Sequence, residues 1–301
     1  MHAHHDHHHC HSHRGGKNKR RLAFTLVLAA GYLVAEVVGG LMTNSLALLA
    51  DAGHMLSDVA ALALSFFAVW IADRPAPPHR TYGYYRAEIL AALANGAALV
   101  AVSGFIIFEA FQRLWEPPEV QAPLMLWIAV GGLLINLAGL WMLHGGRDES
   151  LNVRGAWLHV LSDTLGSVGV ILAAGLIWAF GWYWSDPVAS LIIGLLVIYS
   201  SWRLLAEATA VLMESAPRGI DVDEVRDAVV AMDDVKGIHD LHIWTITSGL
   251  DSLSAHVVSD DGQSHPDLLT RLRTMLHDRF GIDHITIQIE PEGFVERETP
   301  I

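Results

Sequence analysis

The chain has 301 residues, 52% of them hydrophobic and only 17% charged, with a mean hydropathy of +0.36. Such a composition excludes an ordinary soluble protein of this length and places the chain in the membrane class. Its formal charge of -13 argues against nucleic acid as a partner, and its single cysteine, Cys10, excludes an intrachain disulfide.

Eight of the first thirteen residues are His, interspersed with Asp6 and Cys10. A disordered tail of this composition captures transition metals weakly, and the interruptions by Ala3, Asp6, Cys10 and Ser12 argue against a purification tag. Six apolar segments follow, at 22–42, 45–72, 87–114, 124–143, 156–178 and 187–212. Each has the roughly 20 residues needed to cross hydrocarbon. The first is long enough to remain as an uncleaved span, so no signal peptide is expected. Basic residues gather before the first span (Arg14, Lys17, Lys19, Arg20, Arg21), between the second and third (Arg74, Arg80, Arg86) and between the fourth and fifth (Arg147, Arg154). These loops, and with them both termini, are expected on the cytoplasmic side. The alternate connections carry no Lys or Arg, and Trp182, Tyr183 and Trp184 are expected in an interfacial aromatic belt.

Beyond Met213 the texture becomes that of a soluble domain of about 85 residues, entered through a linker at 217–219. Val222, Val225, Val229, Val230 and Met232 predict a helix with Asp221 as its N-cap. Strands are expected at 238–246 and 250–258, joined through Ser248-Gly249, then a helix at 264–280 stopped by Gly281, then a strand at 282–290. The order αββαβ predicts a two-layer α+β fold. The domain division expected is a His-rich tail over 1–20, a six-helix membrane domain over 21–212 and a metal-binding domain over 213–301.

The second span contains His54-Met-Leu-Ser-Asp58 and the fifth His159-Val-Leu-Ser-Asp163. A spacing of four puts His and Asp on one helix face, one turn apart, where both reach a single ion. Two such pairs on antiparallel spans can enclose a tetrahedral site of two nitrogens and two oxygens, which suits zinc, cobalt, nickel or cadmium better than magnesium or calcium. Helix packing explains one polar residue in a span more readily than four in duplicate register, because an ionised aspartate near the bilayer centre costs about 2.5–3.5 kcal/mol on insertion scales. Glu36, Asp51, Glu88, Asn95, Glu109 and Asn136 are less decisive. Asp51 shares a helix face with Asp58 and is expected to line an outer vestibule or the interface, and Gly39-Gly40 and Gly131-Gly132 read as helix contacts.

Charge balance sets the mechanism expected of this quartet. Empty, with neutral histidines and ionised aspartates, it carries two negative charges in a low dielectric. Zinc neutralises it, and so do two protons, so the two compete and exchange of zinc for up to two protons follows. A membrane metalloenzyme is disfavoured, since no H-E-x-x-H or other candidate base accompanies the pairs and four protein ligands leave no open position. A mere anchored sensor would leave Asp58 and Asp163 without a purpose.

In the soluble segment, His239, His242, His256, His265, His277 and His284 are numerous for its length. Alternation puts His256 with Ser252 and Ser254, and Glu290 with His284, Thr286 and Gln288, so both are expected to point away from the core. The first strand is ambiguous, because His239 alternates with Leu241 and Ile243.

Four stretches together resemble the cation diffusion facilitator family, in particular its zinc-transporting branch: Leu49-Ala-Asp-Ala-Gly-His54-Met-Leu-Ser-Asp58, Tyr82-Gly-Tyr-Tyr-Arg-Ala-Glu88, His159-Val-Leu-Ser-Asp163 and His239-Asp-Leu-His-Ile-Trp244. The resemblance runs from about Lys19 to Glu290. It implies a homodimeric, proton-coupled exporter in a lipid bilayer, of the bacterial cytoplasmic membrane, whose transport site is His54, Asp58, His159 and Asp163. It also implies a ferredoxin-like cytoplasmic domain at the dimer interface, binding regulatory zinc through His239, His256 and Glu290. His9, Cys10 and His11 resemble a tail motif that completes this site from a neighbouring subunit in some members. His in place of Asp at position 54 implies preference for zinc, with cadmium, cobalt and nickel as further candidate cargo. A loop site known in some relatives is not matched, since only His79 stands between the second and third spans.

Overall fold

The computed structural model describes residues 15–72, 77–144, 151–259 and 265–294. Six long helices come first: α1 (Gly15–Thr43), α2 (Leu46–Ala72), α3 (Arg86–Trp115), α4 (Ala122–His144), α5 (Leu151–Phe180) and α6 (Ser185–Leu212). A shorter helix, α7 (Val222–Val230), then leads into β1 (Val235–Thr247), β2 (Leu250–Ser259), α8 (His265–Phe280) and β3 (His284–Pro291). Both the six-helix pattern and the αββαβ order match the sequence expectation, and the helices extend past their apolar cores because polar and basic residues continue the same backbone bonding. The chain divides into two compact units, Met1–Phe66 with Ala94–Arg203 and Phe67–Leu93 with Leu204–Ile301.

Among the described residues, α3, 122–142 of α4, 160–180 of α5 and α6 have mean hydropathies of 2.1, 1.9, 1.9 and 1.8, yet only 17–33% of their most apolar windows is buried. Their outward faces carry large apolar side chains such as Phe105, Phe108, Trp127, Leu172 and Leu195. Helices apolar all round and not covered by protein are solvated by lipid.

In the first unit the core is built from Leu48 of α2, Ala110 of α3, Met125 of α4, Val170 and Ala174 of α5 and Val197 of α6. Glycines let α1 approach α4, since a Cβ at Gly39 would collide with Ile128 and one at Gly132 with the Tyr32 hydroxyl. These are the helix contacts expected of the paired glycines. The α1–α2 turn is tight, with Asn44 at φ 57°, a conformation Asn tolerates better than most residues. Arg113 Nη1 donates to the Asn44 carbonyl at 2.9 Å while its Nε pairs with Glu109 Oε1 at 3.0 Å.

The start of α2 is held by a residue 140 positions away. Asp186, fully buried in the first turn of α6, accepts from Ser45 Oγ at 2.6 Å, from the Leu46 amide at 2.8 Å and from the Ala47 amide at 3.2 Å. Ser45 Oγ in turn accepts from the Leu48 amide at 3.2 Å. The first three amides of α2, which have no partner within the helix, are thereby satisfied, and the carboxylate sits at the positive end of the helix dipole.

In the second unit the sheet order is β1-β2-β3, with β1 and β2 antiparallel and β2 and β3 parallel. Asp221 caps α7 as expected, accepting from the Asp223 and Glu224 amides. Val225 and Val229 of α7 and Leu268, Leu272 and Leu276 of α8 pack on one face of the sheet against Ile243, Leu253, Ala255 and Val257. Also in this unit, Glu88 accepts from Thr247 Oγ1 at 2.6 Å and Ser248 Oγ at 3.0 Å, and Arg86 pairs with Glu214 at 2.6 Å.

Candidate functional site

The helical repeat places His54 and Asp58 one turn apart on α2, with His54 Nδ1 3.6 Å from Asp58 Oδ2. From α5, Asp163 Oδ1 comes within 3.7 Å of His54 Nε2. One ligand atom from each of the three lies within 4.8 Å of the others. Two donors on one tetrahedral zinc, each bound at about 2.0–2.2 Å, are themselves about 3.3–3.6 Å apart. The upper bound of 4.8 Å is wider than that, so the three side chains are gathered around one place and have to draw in to bind a common ion. They are half-buried, with 17–23% of each side chain accessible, so the site is reachable. His159 lies on α5 one turn before Asp163; its side chain is outside the described residues, so the fourth member of the quartet is placed by its backbone alone. The imidazole of His54 stands between two carboxylates, one nitrogen toward each, and a single ion can take only one of these nitrogens.

Asp51 is only 8% exposed, so it does not line an open vestibule as the sequence expectation allowed. It sits in the protein interior within electrostatic reach of Glu36, His54, Asp58 and Asp163, with Oδ1 against the α5 backbone at Gly166, where a Cβ would approach it to 3.4 Å. Three residues before His54, it lies one turn nearer the start of α2. Asn136 Nδ2 donates to Ser167 Oγ at 3.3 Å, a contact between α4 and α5.

A second cluster forms on the sheet. His239 of β1 lies directly opposite His256 of β2, their rings 5.2 Å apart. Glu290 of β3 is two places beyond Gln288, the partner of His256, and so shares that face. His256 Nδ1 is 2.9 Å from Glu290 Oε1, His239 Nε2 is 3.4 Å from Glu290 Oε2, and Gln288 Nε2 donates to Glu290 Oε1 at 2.8 Å. Among the described residues, this trio and the one in the helices are the groups of three or more with ligand spacing. The side chains do turn away from the face covered by α7 and α8, but Glu290 is only 2% exposed. A carboxylate buried beside two imidazoles is a metal-ligand arrangement.

A bulge resolves the ambiguity of β1. His239 pairs with His256 but His242 pairs with Ser254, so one extra residue is inserted between them, with Asp240 at φ 51°. The insertion switches faces, leaving His239 on the ligand side and Ile243 in the core. Asp240 Oδ1 then meets His242 Nε2 at 2.8 Å, and its Oδ2 is 3.9 Å from His256 Nε2. His277 and His284 do not join the trio, His277 pairing instead with Asp283 at 2.7 Å, and the side chain of His265 lies outside the described residues. His9, Cys10 and His11 lie outside the described residues.

Sequence reasoning missed Asp186 and Ser45, whose only local signal was their position just before apolar runs, and did not separate Glu36 from the other polar residues in spans.

Comparison with known proteins gives two family matches, the cation efflux transmembrane domain over residues 22–213 and the cation efflux protein cytoplasmic domain over residues 217–292. A Bacillus subtilis protein named cadmium, cobalt and zinc/H(+)-K(+) antiporter is 46% identical over 94% of this chain and 92% of its own length. The metal cation efflux system protein CzcD of Cupriavidus metallidurans is 48% identical over 94% of this chain and 89% of its own. Zinc transporter ZitB of Escherichia coli is 42% identical over 94% of this chain and 92% of its own. The solved metal-bound C-terminal domain of the CzcD transporter is 46% identical, covering 24% of this chain and 99% of that structure at a TM-score of 0.22. Both family matches fall on the parts of the chain that carry the two ligand clusters, and the chain belongs to the cation efflux family.

Proposed function

We propose that this protein exports zinc from the cytoplasm in exchange for protons, with His54, Asp58, His159 and Asp163 as the transport site. The observation that carries the reading is the convergence of His54, Asp58 and Asp163, from α2 and α5, with one ligand atom of each within 4.8 Å of the others. Cadmium and cobalt, named for the Bacillus subtilis relative, and nickel are further cargo, since the same nitrogen and oxygen donors suit them. Zinc is cargo rather than a resident cofactor here, and the protein performs no covalent chemistry on it.

The mechanism follows from the donors. Imidazole and carboxylate bind zinc only when deprotonated, so protons and zinc exclude each other from the same atoms. A site facing the cytoplasm loads zinc and gives up protons; facing a more acidic exterior, it takes protons and lets zinc go. Half-burial between α2 and α5 allows such alternation, because small relative movements of helices can open the cluster to either side.

The remaining organisation follows the same reading. The tail over 1–20 gathers metal, the membrane domain over 21–212 carries it, and the domain over 213–301 senses it. Basic residues at alternate loops support both termini on the cytoplasmic side, and the bacterial relatives support an inner membrane. A homodimer brings two cytoplasmic domains together, with zinc at His239, His256 and Glu290 favouring one arrangement and His9, Cys10 and His11 reaching a neighbouring subunit's site. Lipid surrounds the helices, and nucleic acid has no part. The test is zinc uptake into proteoliposomes with and without a pH gradient, potassium being held equal on both sides. Wild type should move zinc and opposing protons, and Asp58→Ala or Asp163→Ala should abolish both while the protein stays folded. Wild-type zinc flux in either variant would overturn the site, and zinc flux at full rate without proton movement would overturn the exchange.

A further inference from the structure

Resting on the exchange reading above, we propose that Glu36 is a proton-carrying residue, separate from the metal quartet, which shares its proton with Asp51 and passes it toward the transport site. Glu36 lies about two turns before the C-terminal end of α1, is 0% exposed, and neither of its carboxyl oxygens has a hydrogen-bond partner. Its neighbours are Tyr32 from its own helix and Asp51 from α2. The Tyr32 hydroxyl donates elsewhere, to the Ile128 carbonyl of α4 at 3.0 Å, so it does not supply the missing donor. From α4 the groups at hand are that carbonyl and the backbone at Gly132, whose missing Cβ makes room for the Tyr32 ring. Beyond Asp51, on α2 and α5, stand His54, Asp58 and Asp163.

An ionised glutamate in this setting would face another carboxylate with neither of its own oxygens hydrogen-bonded, which buried charges do not tolerate. A protonated Glu36 changes the chemistry of the pair. Its O–H becomes the donor, the Asp51 carboxylate the acceptor, and two acids facing each other hold one proton between them. The dyad is not a metal site, because among the described residues Glu36 belongs to neither group of three ligand side chains. It is the place in the first unit where a proton is held without competing directly with zinc. In turnover Glu36 gives its proton to the Asp51 carboxylate, Asp51 passes it on to the emptied transport site, and the Glu36 carboxylate regains a proton from hydronium when α1 and α2 part. Asp51, one turn before His54, is the link inward.

The experiment uses the full chain in liposomes, comparing wild type, Glu36→Gln and Glu36→Asp for zinc binding, zinc-for-zinc exchange and zinc-driven proton movement. Gln is a neutral isostere of the protonated acid and carries no exchangeable acid proton. Binding and zinc-for-zinc exchange should therefore persist in Glu36→Gln, while proton movement falls by about two orders of magnitude, the contribution typical of a positioned proton-transfer group. Glu36→Asp should retain proton movement at a reduced rate. Wild-type proton movement in Glu36→Gln would overturn the proposal and leave the exchange reading intact. Loss of zinc binding in Glu36→Gln would also overturn it, by showing that the carboxylate serves the metal site or the fold. Absence of proton movement in the wild type would refute exchange itself, and this proposal with it.

Discussion

Replacing Asp186 tests whether the anchor between α6 and α2 holds the helix that carries His54 and Asp58. Its carboxylate accepts from Ser45 Oγ, the Leu46 amide and the Ala47 amide at 2.6, 2.8 and 3.2 Å and is fully buried, so Asp186→Ala strands three donors away from water. Hydrogen bonds to charged groups contribute about 1.5–3 kcal/mol each, but three bonds on one carboxylate are not additive. A buried donor left without an acceptor costs about 1–3 kcal/mol, so three that share one acceptor group cost about 3–5 kcal/mol together, and that is the loss expected here. Asp186→Asn keeps one acceptor oxygen and the volume, so it should lose about 1–2 kcal/mol. For a unit of this size each kcal/mol lowers the Tm by about 2–4 °C, which puts Asp186→Ala roughly 6–20 °C below wild type with Asp186→Asn between them. The assay is loss of helical circular dichroism on heating the purified protein in detergent. An Asp186→Ala protein melting within about 2 °C of wild type would refute the capping argument.

His54→Asp should keep transport but raise manganese flux relative to zinc in proteoliposomes, because an all-oxygen pair on α2 favours harder ions over zinc; an unchanged ratio would count against His54 as a ligand. In the full chain carrying Asp58→Ala and Asp163→Ala and lacking the first 13 residues, calorimetry should still detect zinc binding at the sheet. Adding His239→Ala, His256→Ala and Glu290→Ala together should remove it, and binding that survives would place the cytoplasmic metal elsewhere.

Much of this was legible in sequence because it is written in local periodicity. Apolar runs of spanning length fix six helices, a spacing of four fixes which His faces with which Asp, and strict alternation in β2 and β3 separates His256 and Glu290 from Leu253, Ala255 and Ile289. Tertiary structure alone decided the rest, because it depends on partners with no fixed sequence spacing. The approach of Asp163 to His54 requires a particular packing of α5 against α2, which no pattern within either helix encodes. In β1 the alternation itself misleads: His239 and Ile243 have the same parity, and only the inserted residue at the bulge, seen in the pairing with β2, puts them on opposite faces. Asp186 reads as an ordinary polar residue at the end of a loop, yet 140 positions away it completes the start of α2. Glu36 and Asp51 read as two unrelated acids, and become neighbours only in the fold, where α1 packs closely on α4 through glycines at 39 and 132 and Glu36 is buried without a hydrogen-bond partner. Backbone geometry repeats every few residues and so can be read along the chain, whereas the satisfaction of a buried polar group depends on whichever distant segment is folded against it.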